Sequence, residues 1–215
     1  ISTLVSDVSL IAKGDPLPEF DLYCPLMSLP YALGLTTETI PSFDSYLSAD
    51  PLKVEDWRNK LGPSNLLRVG VVWSGRPEHK NDHNRSISLD ALSPILDLPV
   101  EWHSLQKEYR ASDVDLLSTL DQLHQHQEAL SDFSDTAALI ENMDLVVTVD
   151  TSVAHVACAL GKPTWILLPY LSDFRWLLDR SDSPWYPSAT LYRQKEPGDW
   201  LPVFAKLTED LAEKI

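Results

Sequence analysis

Glycine is scarce in this chain, at 7 of 215 residues, and no G-x-G-x-x-G run, P-loop or G-x-S-x-G elbow occurs. A phosphate cradled by glycine backbone is therefore not expected, nor is a serine nucleophile on a strained elbow. Cysteine is scarcer still. Cys24 and Cys158 stand far apart, and neither C-x-x-C nor H-E-x-x-H occurs. Both cysteines read as buried thiols of a reducing compartment, which points to the cytoplasm. No apolar run approaches a membrane span, and nothing resembles a signal peptide. Basic residues are in deficit, with 17 Lys+Arg against 32 Asp+Glu and a net charge of −15. Such a surface repels nucleic acid and anionic lipid. His79 with His83, and His124 with His126, are each half a metal site at best, so no metal is expected.

What remains is an ordinary globular composition, 44% hydrophobic, with a clear change of texture along the chain. The chain opens at Ile1 without a methionine, as expected of a piece of a longer protein. Residues 1–65 are irregular, with a short strand expected at 8–12 and a proline-broken apolar stretch at 22–35. Asp50-Pro51 begins a helix that runs to Gly62-Pro63: an N-cap oxygen, then a ring that gives up no needed N–H. From Leu66 onward strands and helices alternate. Strands are expected at 68–73, 101–105, 145–149, 164–168 and 189–193, with a weak one at 123–126. Helices are expected at 88–96, 113–120, 135–143, 151–160, 173–179 and 201–215. The strongest strands are continuous Val/Ile/Leu, as when helices cover both faces of a parallel sheet. The expected fold class is α/β: a Rossmann-like doubly wound parallel sheet.

In such a sheet, ligands lie beyond the carboxyl ends of the strands, where strand order reverses. For the order 3-2-1-4-5-6, that point falls between 68–73 and 145–149. Asp150-Thr151-Ser152 follows the latter and opens a helix whose first N–H groups lack intrahelical partners and carry the positive dipole end. His155 follows Thr151 by four residues, on the same helical face. The loop after 68–73 brings Arg76, Lys80 and Arg85 into an acidic protein, with Ser74 and Gly75 allowing close backbone approach. A helix start facing a basic loop suits a diphosphate. Three or four charge-assisted hydrogen bonds, each about 1.5–3 kcal/mol, reach roughly micromolar affinity after ordering costs. The same residues also suit a plain N-cap, a structural histidine and a solvated turn, and spacing alone leaves both readings open. Farther on, Trp176, Trp185 and Tyr186 with Asp182 and Ser183 offer a sugar-stacking surface. A hydrophobic cluster pinning a loop is the alternative, and for Trp176 the stronger one.

The blocks RVGVVWSGRPEHKNDHNRSISL, SLQKE, DFSDTAALIENMDLVVTVDTSVAHVACALGKPTWILLP and WLLDRSDSPWYPS resemble the catalytic region of bacterial tetratricopeptide-repeat-linked glycosyltransferases. These are relatives of the lipopolysaccharide heptosyltransferases and, more remotely, of protein O-GlcNAc transferase. The resemblance spans about residues 14–200 and implies a GT-B fold, whose C-terminal Rossmann-like domain binds a nucleoside-diphosphate sugar. It implies that 66–200 is that donor domain, that 1–65 is the tail of an acceptor domain plus linker, and that the C-terminal helix 201–215 crosses back onto it. It assigns Asp150, Thr151, Ser152 and His155 to the donor diphosphate, and Lys80, with Arg85 as second candidate, to charge on the leaving diphosphate. Ser74, Gly75, Gln106 and Lys107 would lie on the same rim, Phe133 and Asp135 before a helix on the base and ribose side, and Asp182 and Trp185 by the sugar. The activity implied is metal-independent transfer of a hexosyl or heptosyl group, with inversion, from UDP- or ADP-sugar to a hydroxyl of a glycan or protein. No cofactor is implied. Family members carry a full N-terminal half, usually preceded by helical repeats; this chain begins inside that half, and no residue is named as the base. A non-catalytic nucleotide-sugar-binding module and a sugar-nucleotide epimerase are the alternatives.

Overall fold

Six short runs become six parallel strands of one sheet, the central ones rich in β-branched and aliphatic residues: β1 (Arg68–Val72), β2 (Glu101–Ser104), β3 (Leu123–His124), β4 (Leu145–Val149), β5 (Thr164–Leu168) and β6 (Ala189–Arg193). Their spatial order is β3-β2-β1-β4-β5-β6. The reversal expected from the sequence therefore lies between β1 and β4, which pair in the register Val69↔Leu145 to Val72↔Thr148. The computed structural model describes residue 9 and residues 11–215, so the strand expected at 8–12 falls partly outside the described residues.

Alternate side chains of each strand feed different cores. Val69, Val71, Val147, Trp165 and Leu167 face a layer made by Leu89, Leu92, Leu96, Trp102 and the helix α4 (Leu201–Ala212). Val72 and Val146 face the opposite layer, made by helices α1 (Pro51–Leu61), α2 (Phe133–Glu141) and α3 (Ser152–Ala159). Gly70 lies in the tightest part of that layer: a Cβ there would stand 2.6 Å from Leu105 Cδ1. A smaller cluster of Cys158, Ile166, Leu168, Trp176 and Leu191 closes the β5–β6 side.

Several local expectations change. Helix α1 packs on α2, with Trp57 buried, Lys53 Nζ donating to Asp135 Oδ1 at 2.6 Å and Asn142 Nδ2 donating to the Val54 carbonyl at 3.1 Å. Its buried face joins the same core layer as α2 and α3. Helix α4 lies against β6, where Tyr192 donates to Asp210 Oδ2 at 2.8 Å. The helix expected at 88–96 breaks into Leu89–Leu92 and a 3₁₀ turn, Ser93–Asp97, around Pro94, whose ring offers no N–H. That at 113–120 shrinks to Val114–Leu117. The one at 173–179 is only a 3₁₀ turn, Phe174–Trp176, ended by positive φ at Leu177 and Asp179. Arg193 Nη2 donates to the carbonyls of both Trp176 and Leu177, drawing them out of helical geometry. Cys24 is exposed rather than buried, whereas burial pushes the Cys158 thiol up to about 11. No helix among the described residues is long and apolar enough to cross a membrane.

Candidate functional site

At the carboxyl ends of β1, β4 and β5 lies a cleft of about 1010 Å³. His79, Asn81 and Arg85 enter it from the loop after β1, and Asp150, Thr151, Ser152 and His155 from the start of α3. Pro169, Asp173, Phe174, Arg175, Trp185 and Tyr186 line it from the segment after β5, and the residues between Leu26 and Ile40 form an opposing wall.

The basic loop is built from within. Asp82, buried despite its charge, accepts from Ser86 Oγ at 2.8 Å and pairs with the guanidinium of Arg110. Arg110 Nη2 also donates to the Gly75 carbonyl at 3.2 Å, and the Gly75 N–H donates to Ser86 Oγ at 3.0 Å. This network holds the loop so that Arg85 crosses toward α3, where its Nη1 donates to the Asp150 carbonyl at 2.8 Å. The guanidinium packs closely over Gly75, where a Cβ would sit 2.8 Å from Arg85 Cζ and displace it.

The start of α3 differs from those of α1 and α2. Asp50 caps α1 with a bond from the Leu52 N–H, and Asp132 caps α2 in a capping box with Asp135. Thr151 occupies the N-cap of α3 in extended geometry with no side-chain cap, its Oγ1 lying 3.3 Å from Thr148 Oγ1 instead. The positive end of that helix is therefore left to the cleft.

His155 stands one turn in. Its ring stacks on the fully buried Trp176 at 5.3 Å and 16°, and its Nδ1 meets Tyr186 Oη at 2.9 Å. Burial pushes the imidazole below the ordinary histidine range, with Arg175 acting the same way and Asp150 and Asp173 opposing. Its charge is thus small at neutral pH, and it acts as a hydrogen-bonding group.

Of the residues singled out in the sequence, Arg85, Asp150, Thr151, Ser152, His155 and Trp185 line the cleft. Others do not. Lys80 is exposed and outside the lining, although its neighbours His79 and Asn81 are in it. Gln106 is buried and spends its amide on the chain: Oε1 accepts from the Trp73 and Ser74 N–H groups at 3.0 and 2.9 Å, and Nε2 donates to Ser74 Oγ at 3.0 Å. Gln106 and Ser74 thereby shape the end of β1 rather than face the cleft. Lys107 Nζ donates to the Leu130 carbonyl. Phe133 is the first residue of α2 rather than a residue before a helix, and Asp135 is taken by its capping box and Lys53. Asp182 pairs with Arg180 at 2.7 and 2.8 Å on the surface. Trp176 is core, a floor beneath His155. Arg110 and Arg175 carry no local signal: each is a lone cation, Arg175 in the 3₁₀ turn Phe174–Trp176, and only the fold brings them near the others. Among the described residues, no group of three or more His, Cys, Asp or Glu side chains is placed to hold a metal.

Residues 129–197 match glycosyltransferase family 9 (heptosyltransferase), a stretch running from just before α2 through β6 and containing Asp150 to His155, Trp185 and Tyr186. The chain is 25% identical over 204 residues to the protein FlbA of Caulobacter vibrioides, covering 90% of this chain and 33% of that one. The solved E. coli ADP-heptose LPS heptosyltransferase II is similar with a TM-score of 0.52 at 15% identity, covering 83% of this chain and 57% of that one. The glycosyl transferase family 9 structure from Veillonella parvula DSM 2008 is similar with a TM-score of 0.53 at 12% identity, covering 87% and 56%. At such identities these two likenesses are of fold. The chain spans a third of the length of its curated relative and little more than half of each solved structure.

Proposed function

We propose that this chain is the donor-binding part of a glycosyltransferase that takes a nucleoside-diphosphate sugar and passes the sugar to an acceptor hydroxyl. One observation carries the reading: the uncapped start of α3 and the guanidinium of Arg85 meet over one cleft, tied through the Asp150 carbonyl. Backbone N–H groups at 151–153, the hydroxyls of Thr151 and Ser152, and Arg85 supply donors for two phosphoryl groups. As the glycosidic bond breaks, negative charge grows on the departing diphosphate. Fixed dipoles and a fixed cation stabilise it without reorganising. Trp185, half-buried beside His155, offers an apolar face for the sugar ring. Charge stabilisation by these groups alone makes binding independent of divalent cations. The acceptor site, the catalytic base and inversion at the sugar belong, in this proposal, to a GT-B arrangement with a further domain and attached helical repeats.

Isothermal titration of the chain with UDP and ADP tests the reading. Arg85→Ala and His155→Ala should each weaken the better ligand at least tenfold, about 1.4 kcal/mol, and EDTA should change nothing. Wild-type affinity in both variants contradicts it.

A further inference from the structure

His155 lines the same cleft as the diphosphate donors, but a neutral imidazole carries only one N–H, and which nitrogen holds it decides whether the cleft meets a donor or an acceptor. The answer lies outside the helix, in a residue 31 positions away in sequence. Tyr186 Oη stands 2.9 Å from His155 Nδ1. The opposite nitrogen, Nε2, has no protein hydrogen bond among the described residues, and the residue lines the cleft. Trp176, stacked at 5.3 Å and 16°, fixes the plane of the ring.

We propose that Tyr186 is a positioning residue: its hydroxyl donates to Nδ1 of His155, locks the proton on Nε2, and so makes His155 a hydrogen-bond donor to the anionic part of the ligand. The direction follows from chemistry. A phenol O–H is a better donor than an imidazole N–H, and an imidazole lone pair a better acceptor than a phenol oxygen. Burial raises the Tyr186 pKa, helped by the neighbouring Tyr46 hydroxyl, so the phenol keeps its proton across the physiological range. The groups facing the pair are Asp150, Asp173 and Arg175 around His155, and Tyr46, Cys158 and Arg175 around Tyr186. Of these, only Tyr186 has a hydrogen bond to the ring among the described residues. Without it either tautomer is open, and a fraction of molecules would point a lone pair at a phosphate.

This inference rests on the diphosphate reading for its consequence but not for its geometry, and the two separate experimentally. Histidine ¹⁵N spectra of the free chain, with His155→Gln to assign the resonance, report the tautomer directly. The expected result at pH 7.5 is a protonated Nε2 and an unprotonated Nδ1, and in Tyr186→Phe, which keeps the ring, a mixed population. ADP and UDP titrations then add the consequence: Tyr186→Phe weakens binding three- to tenfold, while His155→Gln in the Tyr186→Phe background adds less than it does alone. A wild-type His155 protonated on Nδ1, or a tautomer unchanged in Tyr186→Phe, overturns the proposal even if nucleotides bind. The expected tautomer without nucleotide binding leaves the hydrogen bond standing and removes the donor-site reading.

Discussion

Arg85 and Gly75 act as one device. The guanidinium packs where a Cβ of residue 75 would stand, so Gly75→Ala should displace it and reproduce part of the Arg85→Ala loss in nucleotide affinity while moving the unfolding midpoint little. Titration calorimetry beside thermal unfolding separates the two effects. Lys80, exposed on the same loop, offers only screened long-range charge, so Lys80→Ala should cost less than Arg85→Ala. Gln106 is the converse case. Its substitution by Ala orphans the Trp73 and Ser74 N–H groups at about 1–3 kcal/mol each, so stability in urea should fall by roughly 2–6 kcal/mol. A basic loop and a strand-end glutamine look alike in a sequence. Which cation points inward, and which amide is spent on backbone, depends on contacts such as Asp82–Arg110 that join positions 28 residues apart.

Among the elements, β4 and β5 are legible as continuous apolar runs and α1 and α2 by their capped starts, whereas Glu101–Ser104 and Leu123–His124 carry little apolar pattern. The Asp132–Asp135 capping box and the Asp50-Pro51 start are local chemistry written locally. The 173–179 segment was not, because its turn is decided by Arg193, on β6. Another non-local group sits at the β2–β3 edge under α1. His103 Nδ1 lies 3.1 Å from His126 Nε2, His124 stacks on His103, and Trp57 meets His126 edge-on. Burial, with Lys60, Arg68 and the other histidines adding and Glu101 opposing, pushes His103 and His126 down to about 4. An unfolded chain binds protons on these rings below its ordinary histidine value of about 6.5 while the folded chain does not. Their contribution to stability is therefore complete above about pH 6.5 and is lost as pH falls toward 4. Urea midpoints should drop between pH 7 and pH 5, and His103→Asn should flatten that slope. An unchanged slope contradicts the assignment.

At the scale of the whole molecule, strand order alone places the cleft, since the connections leaving the paired strands β1 and β4 run to opposite sides of the sheet. What the order could not give was the cleft's far wall, which comes from Leu26 to Ile40, a stretch whose prolines and short turns carry no periodic signal. The central claim is that the start of α3 and the loop after β1 bind one diphosphate between them. Backbone and arginine ¹⁵N–¹H spectra during titration with ADP or UDP test it directly. The account predicts saturable shifts at the amides of Thr151, Ser152 and Val153 together with the Arg85 side chain. Shifts confined elsewhere, such as the surface of Lys195 and Lys206 beside β6, or none at saturating nucleotide, would contradict it.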